Sequence, residues 1–130
     1  MRHILRDDRG QAMTEMALVL PILTALLIGI FQFGILYNNH ITLTDATRAG
    51  ARKAAVARFA GDSGASAVAA VRTAADNLDQ SKLKVSVTST NWNVGGSDVT
   101  VSASYDYNLS ILGMKIASGT LTSTTKERLE

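Results

Sequence analysis

The chain has 130 residues, room for one small domain with a helix outside it, and no cysteine, which excludes a disulfide framework and any thiolate metal site. Thirteen Lys and Arg against eleven Asp and Glu leave a formal charge of +2, too weak a field to point to nucleic acid as a partner. The apolar residues are unevenly spread, and that unevenness is the most informative property of the chain.

Residues 1–10 are short and polar, with Arg2, Arg6 and Arg9 set against Asp7 and Asp8. An abrupt apolar run follows from Met16 to Tyr37, broken only by Gln32 and, weakly, Thr24. At helical rise this run is roughly 33 Å long, close to the hydrocarbon thickness of a bilayer. Thirteen of its residues are Leu, Ile, Val or Phe, which together favour insertion by about 4–8 kcal/mol before Gln32, Thr24 and Pro21 are charged against it. A membrane span is expected here. A cleaved secretory signal fits less well, because Asn38-Asn39-His40 follows the run where a small-residue cleavage site belongs.

From Ile41 to Ala60 the helical pattern continues and becomes amphipathic, with Ala46, Gly50, Ala54 and Ala57 on one face and Asp45 within reach of Arg48. Gly61-Asp62-Ser63-Gly64 breaks it. Asp62, Ser63 or Ser66 is expected to cap a second helix running to about Leu78, with Val68, Val71, Ala75 and Leu78 as its apolar stripe. The period then falls to two. Leu83, Val85 and Val87 alternate with polar residues, and after Asn91–Ser97 alternation resumes in Val99, Val101, Ala103, Tyr105 and Tyr107, which reads as two strands joined by a glycine-containing turn. Residues 108–118 read as a loop with a short strand around 114–117, and 119–128 as a last strand. The expected fold is α+β: a long N-terminal transmembrane helix extending into a small domain with a second helix and an antiparallel sheet of two to three strands.

Gly10, Gln11-Ala12-Met13-Thr14-Glu15, the apolar run and Pro21 form a register more specific than any of its parts. It resembles the processing signal of type IV pilins, in which a short basic leader ends in Gly at the cut made by a prepilin peptidase and Glu stands fifth in the mature chain. More narrowly, Gly10 to Pro21 resembles the TadE-like proteins of tight-adherence (Flp) pilus systems, as does the closing segment Leu121 to Glu130. The resemblance implies a leader at 1–10, an N-terminal helix at 11–60 and a small extracytoplasmic α+β domain at 61–130. It implies processing at Gly10 and Gln11, and assembly roles for Glu15 and Pro21. It further implies a single-pass subunit of the cytoplasmic membrane, N-terminus inside, that passes to a surface pilus with other pilin subunits and the assembly machinery as partners. The positive-inside count by itself is a near tie, because Arg48, Arg52 and Lys53 offset the leader arginines.

Several of these residues carry a physical argument of their own. A carboxylate at Glu15, on the edge of an apolar span, is costly without an interface or a partner; cleavage after Gly10 would place an α-amino group one helical turn away. Pro21 removes one backbone hydrogen bond, which membrane helices tolerate. Ala25 and Gly29 form a small-xxx-small pair, with Gly34 following, that lets helices approach closely. Gln32 is suited to a hydrogen bond across a helix interface or to water. No phosphate loop, paired catalytic carboxylates, nucleophile triad or metal cluster is found; His3 and His40 are far apart, and no cofactor is implied. Asp76 and Asp79 read as solvated helix-end charges, and Trp92, Tyr105 and Tyr107 as closing a small core rather than as a binding patch. The expected function is a non-enzymatic minor pilin or pseudopilin that supports assembly or priming of a tight-adherence pilus. A major filament-forming pilin and an uncleaved single-span protein with a partner-binding outer domain stand beside it.

Overall fold

A computed structural model describes residues 8–56, 64–92, 94–111 and 113–129. The order is α1 (Asp8–Val56), α2 (Ala65–Ala74), β1 (Leu83–Ser89), β2 (Asp98–Ile111) and β3 (Met114–Arg128). One 49-residue helix therefore joins the apolar run to the amphipathic stretch without interruption. The expected continuation to residue 60 and the break at 61–63 lie outside the described residues, as do Ala57, His3, Asp62 and Ser63.

The three strands form an antiparallel sheet in sequence order. Leu83 pairs with Tyr105 and Ser89 with Val99 across β1 and β2. Asp98 pairs with Arg128 and Tyr107 with Gly119 across β2 and β3. Alternation sorts the side chains. Leu83, Val99, Val101, Ala103 and Tyr105 are buried, while Lys84, Ser86, Thr88, Thr120, Thr122 and Thr124 are exposed. Diagonal ion pairs, Lys84–Asp106 at 3.0 Å and Lys126–Asp98 at 2.8 Å, tie strands on the outer face. The end of the chain is fastened too: Leu129 is buried, donates its N–H to the Ser97 carbonyl and accepts from Gly96 N–H.

The inner face is covered by α2 and by the second half of α1. Leu43, Ala46, Ala51 and Ala54 of α1 meet Ala67, Val71, Ala75 and Leu78 and the sheet residues above in a single core. Most of these side chains are small, so backbones lie close. At Gly50 an added Cβ would overlap Cγ2 of Val71 and sit 3.2 Å from the Ala67 carbonyl oxygen. Among the buried residues Thr47 is polar, and its bonding is complete. Its hydroxyl donates to the Thr44 carbonyl at 2.8 Å and so accepts from Ser123 and Thr125 of β3, each at 3.1 Å.

Four expectations are corrected. Helix α2 ends at Ala74 rather than near Leu78, where the side-chain amide of Gln80 folds back on the carbonyl of Arg72 in the last turn, at 3.5 Å, and on those of Ala75 and Leu78 beyond it, at 2.7 Å and 3.3 Å. Leu78 is still buried, just past the end. Its N-cap is Gly64, at φ 91°, not Ser66, and the core stripe passes through Ala67 rather than Val68, which is half-buried at its edge. The segment 108–118 is not a loop. Strand β2 continues to Ile111 and β3 begins at Met114, with Gly113 at φ 81° in the turn and a register shift at Leu109/Ser110. Asn108 and Gly113 look like breakers in sequence, but Leu109 and Ile111 keep the period of two.

The aromatic residues do close the core. Tyr105 is buried, Trp92 packs against the cluster beside Gly64, and the Tyr107 ring covers the bare backbone of Gly119.

Candidate functional site

The candidate functional element is α1, and its surroundings change along its length. From Gly10 to Phe31 no residue is buried, and the large apolar side chains project on every side: Leu18 is 69 % exposed, Leu26 57 % and Phe31 71 %. A helix apolar all round and bare of protein demands another apolar environment. It is long and apolar enough to cross a membrane. Near Gln32 the sheet arrives, and from Leu43 onward one face is fully buried.

At the N-terminal end the Gly10–Gln11 bond lies inside α1, near its start. The Gly10 carbonyl accepts the Thr14 hydroxyl at 2.9 Å, and the Gln11 side-chain amide donates to Glu15 Oε1 at 3.0 Å. Glu15 is exposed and already serves as an acceptor toward the position of residue 11.

Pro21 is accommodated within the helix. It has no N–H to offer the Ala17 carbonyl, and three residues on, the Thr24 hydroxyl bonds the Leu20 carbonyl at 2.8 Å. Ala25 and Gly29 lie one turn apart and are half-exposed. A Cβ at Gly29 or Gly34 would meet nothing within 4 Å, so both flat patches are open. Gly34 lies roughly 140° further round the axis than Gly29, so the three small residues do not share a single face.

Gln32 answers the question its sequence position leaves open. Its Nε2 donates to the Ser110 carbonyl at 2.6 Å, so the polar residue of the apolar run is satisfied by the chain's own β2–β3 hairpin. Sequence reasoning missed this contact, together with the Thr47–Ser123–Thr125 hydroxyl cluster. Nothing in the local pattern pairs residues more than seventy positions apart. Among the described residues no group of His, Asp and Glu is placed to hold a metal ion. Asp76 is exposed, and Asp79 is fixed by its turn: the Ser81 hydroxyl and N–H, then Lys82, hold its carboxyl below the usual range.

Residues 10–52 match the family model described as TadE-like protein. The match covers about a third of the chain, and over this segment the chain is similar to TadE-like proteins. The match begins at the proposed cut and ends within the stretch of α1 that packs on the domain, so it takes in the whole bare rod, Glu15, Pro21 and Gln32, and leaves out α2 and the sheet. No curated protein and no solved structure matches. The apolar helix within the matched segment fits single-pass membrane anchoring.

Proposed function

We propose that this TadE-like chain is a non-enzymatic, membrane-anchored pilin-like subunit that supports assembly or priming of a tight-adherence pilus, as a minor pilin or pseudopilin. The observation that carries the reading is the bare, all-round apolar rod of α1 within the TadE-like match. Such a rod needs lipid in one state and sister helices in another, and a subunit that moves from membrane to filament supplies both.

In this reading residues 1–10 are a leader, 11–60 the anchoring and packing helix, and 61–130 the extracytoplasmic domain. A prepilin peptidase cuts between Gly10 and Gln11. Peptidases act on extended backbone, so the first turn must open. Gly10, at about 1 kcal/mol less helix-favourable than Ala, and its place near the helix start both make that opening easy. The cut frees an α-amino group at Gln11, one turn from Glu15, where the Gln11 amide already donates. Glu15 then pairs with that amine or with the amine of a neighbouring subunit. Pro21 leaves a weak point in the hydrogen-bond ladder where the helix yields during extraction. Ala25, Gly29 and Gly34 offer flat contacts to other subunits.

The test is N-terminal sequencing of the membrane-extracted protein made with and without the peptidase. Gln11 first, only when the peptidase is present and not in Gly10→Ala, is the expected result. Met1 retained under both conditions would instead make the chain an uncleaved single-span protein.

A further inference from the structure

The β2–β3 hairpin extends beyond the body of the domain. Val101 packs at Gly50, 3.4 Å from where a Cβ would stand, and Ser110 lies at Gln32, whose amide reaches its carbonyl. From Val101 to Ser110 is roughly 31 Å of strand at ~3.4 Å per residue. From Gly50 back to Gln32 is roughly 27 Å of helix at ~1.5 Å per residue. The two lengths agree, so β2 runs alongside α1 toward the helix N-terminus. The residues past Ser110 carry the turn about one helical turn further in that direction.

Gln32 lies within the apolar run. With Glu15 at one hydrocarbon boundary, ~30 Å of acyl chain corresponds to roughly 20 helical residues, which places the other boundary near residue 35. Gln32 and Ser110 then stand roughly 4–5 Å inside the outer edge of the acyl chains, and the turn about 5 Å deeper. Its chemistry suits that depth. Residues 114–118 of β3 are all exposed, whereas from 119 to 125 the strand alternates half-buried and exposed. Met114 is 63 % and Ile116 59 % exposed, on the same side of the strand. Lys115, exposed between them on the other side, has a stem long enough to reach lipid phosphates. The register sets Met114 opposite Ile111, so the pair lies on the α1-facing side of the sheet and is left bare at the one end that faces the membrane.

We infer that the hairpin tip is a second membrane contact: Met114 and Ile116 enter the outer part of the acyl-chain region of the bilayer that α1 spans. The inference rests on the membrane-anchored reading above. It gives the Gln32–Ser110 bond a purpose, since the bond clamps the tip to the rod at the level where both meet lipid. Two attachment points fix the rotation of the sheet about the helix axis relative to the membrane, which a single straight helix leaves free.

The absence of cysteine makes the test direct. Full-length chains carrying Leu26→Cys, Thr88→Cys, Met114→Cys or Ile116→Cys are labelled with an environment-sensitive fluorophore. They are then reconstituted in vesicles of neutral and anionic phospholipid at two protein-to-lipid ratios. Quenching is read with aqueous iodide and with lipids spin-labelled shallow or deep in the acyl chain. The expected result is a blue-shifted label at 114 and 116, quenched by shallow spin-labelled lipid and protected from iodide at both ratios. Leu26→Cys should respond to deep label and Thr88→Cys to iodide alone. If 114 and 116 behave as Thr88→Cys while Leu26→Cys stays lipid-quenched, the tip inference is overturned and anchoring stands. If Leu26→Cys is also open to iodide, anchoring fails and takes the inference with it. Protection at 114 and 116 that disappears on dilution in lipid would assign the tip to a second copy of the chain and overturn the inference equally.

Discussion

Gly50→Ala is the sharpest perturbation of the junction between helix and domain. In an exposed helix this change stabilises by about 1 kcal/mol, because Ala is the better helix former. Here the new methyl would overlap Cγ2 of Val71 and press on the Ala67 carbonyl and on Val101. The Val71 side chain is fully buried, and the Ala67 carbonyl belongs to helix backbone, so neither can simply swing aside. Overpacking of this kind costs about 1–3 kcal/mol; with a buried side chain and helix backbone both in the way the upper part of that range applies, so a net loss of roughly 1–2 kcal/mol remains after the propensity gain. Trp92 is the single tryptophan and packs against the core beside Gly64. Its fluorescence therefore reports urea unfolding of the domain in full-length protein held in mild detergent. Gly34→Ala, where a Cβ meets nothing, serves as the control. Val71→Ala removes the obstructing methyls, so the double variant should cost about 1–2 kcal/mol less than the two single losses added. If Gly50→Ala is as stable as the parent or more so, or if the two losses simply add, the close α1–α2 contact is not as described.

Thr47→Val keeps the shape of a buried side chain but leaves the Ser123 and Thr125 hydroxyls without their acceptor; a loss of about 1–3 kcal/mol in the same urea assay is expected, and an unchanged midpoint would show the cluster to be incidental. Glu15→Ala should be processed at the normal position yet enter filaments poorly, since the carboxylate that receives the new α-amino group is gone; a normal filament yield would rule out the pairing. Acid should weaken the sheet. Lys126 holds the Asp98 carboxyl below its ordinary value of 3.8, and the Thr120 hydroxyl, then Lys84, do the same for Asp106. A carboxyl depressed in the folded chain contributes stability above its unfolded pKa and loses it as pH falls through the folded value. Between pH 5 and roughly pH 2, Asp98→Asn and Asp106→Asn should therefore lose less melting temperature than the parent does, and parallel curves would contradict the assignment.

Much of this architecture is legible in the residues. The apolar run announces a rod because Met16 to Tyr37 offers no polar face for a soluble core to leave outside. The strands show themselves through Leu83-Val85-Val87 and Val99-Val101-Ala103-Tyr105, where the period is two and one face is buried. The end of α2 is not legible: Gln80 reaches back there to carbonyls that a propensity argument assigns to more helix. The hairpin tip was obscured by Asn108 and Gly113, residues that usually mark loops, although Leu109 and Ile111 preserve the alternation. At the candidate site, Gly10, Glu15 and Pro21 stand out through their resemblance to a pilin signal. The Gln32–Ser110 bond does not, because it is a tertiary contact and its donor could have found many acceptors.

The hydroxyl cluster at Thr47 has a mechanical side. Ala46, Gly50 and Ala54 present a nearly smooth helix surface, and smooth apolar surfaces resist separation far better than they resist sliding. The hydrogen bonds that Thr47 accepts from Ser123 and Thr125 are directional and hold at a single register. They act as a detent, so that a pull along the rod reaches β3 as load instead of being lost in slippage between helix and sheet.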